Sequence, residues 1–480
     1  MTWSIPPAIL SLLEDGPAGA VPRQAVEGGR EGTTFPAAEA TMSSISIIRT
    51  DQTDAARELR AIRQSLLLDQ LILGDAPESQ TVLDIIRDVR ARGDEAVAQI
   101  TARVDNVNVP PESVRVPVEE IKKARERLAP DVRQAVRHAI ASVRRFQQSV
   151  LACLTEPTAP DGQQLSIRMK PIRRVGICVP GAAAPLPSSA IHCAVPAQVA
   201  GVRELALVAP PRHGGEIHPT ILAVAGELGI SEVYRMGGAQ AVAALAIGTQ
   251  RVGRVDKIVG PGSVYVQLAK RWLYGVVDID MFAGPSEVVI LADESARPEF
   301  VALDMLAQAE HDPGCAILLT PCAALADAVV AEIDRQLSQL PAPDGARRAL
   351  ATLGAIVLVR DMKEAVALAN DIAPEHLQIA TDNAAALAAE IDSAGAIFLG
   401  HYTPEAVGDY VAGPSHVLPT GGSARFWSGV SALDFLRRTS MIEYTPGGLV
   451  HDAASIETLA RAEGLEAHAR SVSIRTRRRV

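Results

Sequence analysis

Short apolar runs that close on glycine or proline, each followed by a helical stretch, dominate residues 175 to 399. Val175 to Pro180 leads into Gly181, and Leu205 to Ala209 leads into Pro210-Pro211. Glu232 to Met236 closes on Gly237-Gly238, and Val255 to Val259 on Gly260-Pro261-Gly262. A second series follows at Glu287 to Ala292, Ala316 to Thr320, Ala355 to Val359, Leu377 to Ala380 and Ala396 to Leu399. Helical stretches separate these runs, among them Thr220 to Leu228, Gln240 to Ile247, Phe300 to Glu310 and Ala324 to Leu337. Runs with little polar alternation are strands buried on both faces, and such strands joined by helices form parallel, doubly wound sheets. Two consecutive series predict an α/β chain with two Rossmann-like doubly wound parallel-sheet domains.

The composition supports this reading. Hydrophobic residues make up 48% of the 480, yet there are only 7 Phe, 6 Tyr and 3 Trp, so the core must be aliphatic. The formal charge of -10, from 46 basic and 56 acidic residues, argues against a phosphate-backbone binder. Aromatic platforms for single strands are also few, so no nucleic-acid partner is expected. No run of about 18 apolar residues occurs, and no membrane span is expected. The cysteines are Cys153, Cys178, Cys193, Cys315 and Cys322, an odd set without a Cys-x-x-Cys pair. That pattern predicts a reducing, cytoplasmic setting rather than a disulfide framework.

Residues 1–43 are rich in Gly, Pro and Ala and carry several acids, so they read as a disordered extension. They lack the basic and apolar regions of a signal peptide, and Met42 is the expected true start. Residues 44–150 read mostly as helices, over Ala55 to Leu73, Val82 to Val104, and from Pro117 to a break at Pro130. Asp131 is the expected cap of a further helix running to about Cys153, before a turn-rich break from Pro157 to Gln164. The tail, 431–480, reads as helical and polar and ends in a basic run at Arg475, Arg477, Arg478 and Arg479.

Several polar groups could carry chemistry. No Gly-x-Gly-x-x-Gly fingerprint follows any strand; the glycines after the strands suit either a pyrophosphate at a helix N-terminus or simple tight turns. Gln308 and His311 close a helix on one face, as a metal-binding amide and imidazole or as a solvated cap. His311 and Cys315 are split by Pro313-Gly314, and Cys315 reads as a small apolar filler. Glu375 and His376 sit between a helix and a strand, where sites gather, and could supply a carboxylate and an imidazole for proton transfer. Glu405, Asp409 and His416 share one loop-rich stretch, and Glu463 and His468 follow on the last helix. Such carboxylates and imidazoles suit zinc and a cationic substrate, or plain surface polarity. The remaining histidines, His192 among them, read as solvated or satisfied in the core.

Several segments together go further. They are Met236-Gly-Gly-Ala-Gln-Ala-Val-Ala-Ala-Leu-Ala, Val255-Asp-Lys-Ile-Val-Gly-Pro-Gly, Ala283-Gly-Pro-Ser-Glu-Val, Gln308-Ala-Glu-His, Pro374-Glu-His-Leu, Gly408-Asp-Tyr, His416-Val-Leu-Pro-Thr and Glu457-Thr-Leu-Ala. As an ordered set over roughly 44–480 the chain resembles the histidinol dehydrogenase family, the NAD-linked zinc enzymes of histidine biosynthesis. The resemblance implies oxidation of L-histidinol to L-histidine through L-histidinal, with two NAD. It implies zinc ligands at Gln308, His311, Asp409 and His468, and a proton-transferring pair at Glu375 and His376. Further substrate contacts would be Ser286, Glu405, His416 and Glu463. Glu463 and His468 would come from the partner chain of a homodimer with shared active sites. On the NAD side the matching positions are Cys178, Gln240 and Ser263; the family's usual Tyr and Asn are replaced by Cys178 and Ser263, whereas Gln240 is retained.

The organisation expected on this basis has a helical segment at 44–73 and a larger, discontinuous domain at 74–177 and 286–430. A second domain on the NAD side spans 178–285, and the tail 431–480 reaches the partner subunit. Two other readings stay open: a zinc-fold relative oxidising another small alcohol such as a sulfonated diol, and a non-catalytic zinc- or ligand-binding relative.

Overall fold

The computed structural model describes residues 45–66, 77–152, 163–181, 185–311 and 314–476. The extension 1–43 with Met42, the end of the Ala55 to Leu73 stretch, Cys153, most of the Pro157 to Gln164 break, Ala182, Pro313 and Arg477 to Arg479 lie outside the described residues. The strands are, in chain order, β1 (Ser46–Arg49), β2 (Gln163–Pro171), β3 (Arg174–Cys178), β4 (Glu204–Ala209), β5 (Glu232–Arg235), β6 (Lys257–Val259) and β7 (Asp278–Ile279). They continue as β8 (Ser286–Ala292), β9 (Gly314–Thr320), β10 (Gly354–Leu358), β11 (His376–Ala380), β12 (Ala396–Leu399) and β13 (Leu436–Tyr444). The chain divides into two compact units. Of the described residues, one holds those within Met1–Leu67, Pro285–Pro404 and Thr420–Arg425, and the other those within Leu68–Gly284, Glu405–Pro419 and Phe426–Val480.

The first unit is built on a parallel sheet in the order β1-β10-β9-β8-β11-β12. Its inner strands β8, β9, β10 and β11 are buried on both faces, and their side chains alternate between two cores. Val288 and Ile290 of β8 join Val301, Met305, Val329 and Ile333 of the helices Pro298–Ala309 and Ala323–Leu337. Val289 and Leu291 point the other way, into a core with Ala365, Val366 and Ala369 of the helix Met362–Ile372. This period of two, with apolar residues at both phases, is why the runs show no polar alternation.

The second unit has a parallel sheet in the order β5-β4-β3-β6-β7. Ile177 and Leu207 face a core with Ile191 and Val195 of the helix Pro187–Ala200, while Cys178, Val208 and Ile258 face Val82, Ile85 and Val89 of the helix Pro77–Arg92. The helices of 77–152 thus cover the five-stranded sheet, so 77–152 and 163–177 share a unit with the described residues up to Gly284 instead of with 286–404. An antiparallel ribbon pairs β13 with β2 along its length.

The doubly wound α/β architecture agrees with the sequence reading, and details differ. Residues 46–49, expected in a helical segment, form an edge strand because Ile48 packs into a buried core. The Val82 to Val104 stretch breaks at Gly93, whose φ of 60° and close approach to the Gln250 side chain exclude a Cβ. Asp131 lies in the first turn of the helix Pro130–Ala152 instead of capping it. The tail is not all helical, since β13 precedes the helices Pro446–Ala462 and Glu466–Thr476. Among the described residues, no helix is long and apolar enough to cross a membrane.

Candidate active site

The predicted catalytic pair stands at the amino ends of β8 and β11. Ligand sites in open α/β sheets usually occupy the carboxyl ends, so this placement departs from the rule behind the sequence reading. Glu375 and His376 are both buried, and Ser286, at the start of β8, is half-buried. The chain enters β11 from Ala373, a non-glycine residue held at φ 52° at the end of the preceding helix. Such left-handed backbone costs on the order of 1 kcal/mol and persists only where its surroundings hold it.

Reciprocal hydrogen bonds fix the pair. The Glu287 N–H donates to Glu375 Oε2 at 3.0 Å, and the Glu375 N–H donates to Glu287 Oε1 at 3.2 Å. The Gly421 N–H also donates to Glu287 Oε1, at 2.9 Å. His376 Nδ1 lies 3.1 Å from the Glu287 carbonyl oxygen and 3.7 Å from Glu375 Oε2. A carbonyl only accepts, so Nδ1 carries the proton there and Nε2 is the nitrogen able to take one. Burial pushes the Glu287 carboxyl up to about 8, against the pull of the Gly421 and Glu375 N–H groups. Sequence reading missed Glu287; a carboxylate opening an otherwise apolar strand is the signal it left.

Gln308 is fully buried near the end of the helix Pro298–Ala309, not a solvated cap, whereas His311 lies beyond the helix and is exposed. The His311 N–H donates to the Gln308 carbonyl at 3.3 Å. That carbonyl would stand 2.2 Å from a Cβ at Gly314, so glycine is required where β9 starts. Cys315 is buried and its thiol contacts the Leu353 carbonyl at 3.0 Å, in keeping with a filler. On the same helix, Asp304 accepts from Gln378 Nε2 of β11 at 2.7 Å, and burial raises its carboxyl to about 6.

In the second unit, Glu405 is buried at the start of the short helix Ala406–Tyr410, which carries Asp409. His416 Nδ1 lies 3.5 Å from Asp409 Oδ1. His192 is buried, with its ring tilted by 42° to that of His416 at a centroid distance of 4.5 Å. Burial, then the neighbouring His416, pushes the His192 imidazole down to about 3, so it is neutral. Glu463 and His468 are exposed; Glu463 caps the end of the helix Pro446–Ala462 and His468 lies on the helix Glu466–Thr476, the chain turning between them at Gly464, whose φ is 74°. Among the described residues, no hydrogen bond or ion pair joins their side chains to Glu405, Asp409 or His416.

The same unit has a topological switch point between β3 and β6, where nucleotides commonly bind. Cys178 ends β3, and burial pushes its thiol up to about 11. Gly260 follows β6 with φ 106°, and a Cβ there would stand 2.2 Å from the Cys178 carbonyl. A buried ion pair pins this turn. Lys270 Nζ donates to Asp280 Oδ1 at 2.7 Å and to the Gly260 carbonyl at 2.5 Å, while the Gly260 N–H donates to Asp280 Oδ2 at 2.7 Å. Ser263 is exposed at the start of the helix Val264–Leu273, where its side chain makes no capping bond. Gln240 is buried, with Nε2 3.4 Å from Thr101 Oγ1.

An α/β protein with a glycine-lined switch point in one unit and a buried Glu–His pair in the other has the parts of a dehydrogenase. The family model described as histidinol dehydrogenase matches residues 74–476. The histidinol dehydrogenase of Rhodopirellula baltica is 46% identical over 451 residues, covering 91% of this chain and 98% of that protein. That of Moorella thermoacetica is 49% identical over 395 residues, covering 82% and 93%. A crystal structure of histidinol dehydrogenase from Elizabethkingia anophelis superposes with a TM-score of 0.84 at 34% identity, covering 91% of this chain and 98% of that one. The chain belongs to the histidinol dehydrogenase family, NAD-dependent oxidoreductases of histidine biosynthesis.

Proposed function

We propose that the chain oxidises L-histidinol to L-histidine through L-histidinal, with His376 moving protons at Nε2 and Glu375 activating water. The observation that carries this reading is the hydrogen bond from His376 Nδ1 to the Glu287 carbonyl, which leaves Nε2 as the base. In the first half, His376 takes the alcohol proton as the carbinol carbon gives up hydride, leaving the aldehyde. In the second, Glu375 takes a proton from water adding to the aldehyde while His376 returns its proton to the carbonyl oxygen, and the gem-diol so formed gives up a second hydride and two protons, one to His376 and one to solvent, to become the carboxylate. Keeping the aldehyde in the site between halves protects it from bulk solvent.

When bound, NAD accepts the hydrides and zinc holds the imidazole and amine of the substrate. Gln308, His311, Asp409 and His468 would hold zinc; an amide oxygen, two imidazoles and a carboxylate form a nitrogen–oxygen donor set that suits this ion. Ser286, Glu405, His416 and Glu463 would contact the substrate. Cys178, Gln240 and Ser263 lie on the NAD side, where the close-packed Gly260 turn and the uncapped first turn of the helix Val264–Leu273 support a pyrophosphate. Exposure of Glu463 and His468 supports their service to a second copy of the chain, in a cytoplasmic homodimer with shared sites.

The test is NADH absorbance from the zinc-loaded protein with NAD and L-histidinol at mildly alkaline pH, beside other small alcohols. Two NADH per L-histidinol are expected. No NADH from L-histidinol, or faster turnover of a sulfonated diol, would overturn the reading.

A further inference from the structure

We infer that Glu287 is a positioning residue for the Glu375–His376 pair, acting through the hydrogen-bond acceptance of its side chain. This inference rests on the reading of that pair as the proton-transferring groups. Glu287 touches the pair at three points: its N–H holds the Glu375 carboxylate at 3.0 Å, its Oε1 holds the Glu375 N–H at 3.2 Å, and its carbonyl faces His376 Nδ1 at 3.1 Å. The same Oε1 takes the Gly421 N–H at 2.9 Å. One oxygen therefore joins the start of β8, the residue before β11 and the segment 420–425 of the same unit. Pairing between β8 and β11 begins only at Val288 opposite His376, so the carboxyl supplies the tie between these two strands beyond the end of their ladder. Pairing with β9, where Glu287 stands opposite Cys315, holds the Glu287 backbone itself; without the carboxyl, Glu375 and Gly421 lose the tie that seats the pair against that backbone.

The role asks for an acceptor of full glutamate length and not for a charge. Glu287→Gln keeps such an oxygen, Glu287→Asp keeps the charge but is one carbon short, and Glu287→Ala keeps neither. The three variants and the unaltered protein are compared for zinc content, thermal midpoint, kcat and KM with L-histidinol, and crystal structure. Displacement of a catalytic group by about 1 Å costs about 100-fold, so Glu287→Ala and Glu287→Asp should lose about that much in kcat with KM little changed. Glu287→Gln should stay within about threefold of the unaltered kcat. In the crystal structures the His376 ring should keep its place in Gln and move in Ala and Asp.

Should Glu287→Ala not fold, Gln against Asp still decides the matter. An Asp variant that works while Gln fails would overturn the inference, because charge would then be the requirement. So would an unmoved His376 ring in the Ala or Asp crystal. If the unaltered protein makes no NADH from L-histidinol, the functional reading fails by itself, while the ring positions still decide whether Glu287 places the pair.

Discussion

At His376, the neighbour of one ring nitrogen decides what the other can do. A carbonyl at 3.1 Å from Nδ1 leaves Nε2 as the nitrogen able to take a proton. His376→Asn retains an amide donor and loses the base, so kcat should fall by about 10²–10⁴-fold while zinc content, measured by elemental analysis, stays normal. Turnover near the unaltered value would remove His376 from the reaction. The Glu–His dipeptide was legible as chemistry because it lies between a helix and a strand, where sites gather, and because Pro374-Glu-His-Leu is one of the segments that carry the family resemblance. Glu287 and His192 were not legible. One opens an apolar run and the other sits within Ile191 to Val195, so both looked like incidental polarity until burial gave them neighbours.

Between elements, two buried contacts make opposite predictions. Asp304 on its helix faces Gln378 on β11, and Gln378 Oε1 has no hydrogen-bond partner. With its carboxyl raised to about 6 from 3.8, folded Asp304 keeps a proton through a window in which the unfolded chain has lost it, so stability falls as pH rises from about 4 to about 6. Asp304→Asn removes that loss and offers a donor to Gln378 Oε1; urea unfolding should show a gain of about 1–3 kcal/mol at pH 7.5 and little at pH 4. Lys270→Met leaves Asp280 buried beside the Gly260 turn without its cation, and should cost about 3–5 kcal/mol in the same assay. The inner strands of both parallel sheets were legible because burial on both faces writes a continuous apolar run, and the edge strands β1 and β7 were not. Nor were β2 and β13: β13 is partly polar, and its partner, β2, lies at 163–171, a pairing that no local pattern announces.

At the scale of the whole molecule, a shared-site homodimer makes a prediction that a self-sufficient chain cannot meet. His376→Asn and His468→Asn chains should each be inactive. Mixed under conditions that exchange subunits, half of the dimers are heterodimers with one intact site each, so about a quarter of the unaltered activity should return, read as NADH formation. No recovery after verified exchange would place both residues in one chain's site. Domain boundaries were harder to read than the fold, because a helix such as Pro77–Arg92 does not declare in its own sequence which sheet it will cover. The use of strand edges was harder still. The pair at Glu375 and His376 occupies the amino edge of the six-stranded sheet, while Asp293, Ser295, Asp382 and His401 gather beyond its carboxyl edge, with His401 Nε2 at 3.2 Å from Asp382 and 3.4 Å from Ser295. That separation gives the unit spare ground. Loops at the far edge should tolerate added length, or a grafted reporter, with the whole length of β8 and β11 between them and the proposed proton-transferring pair.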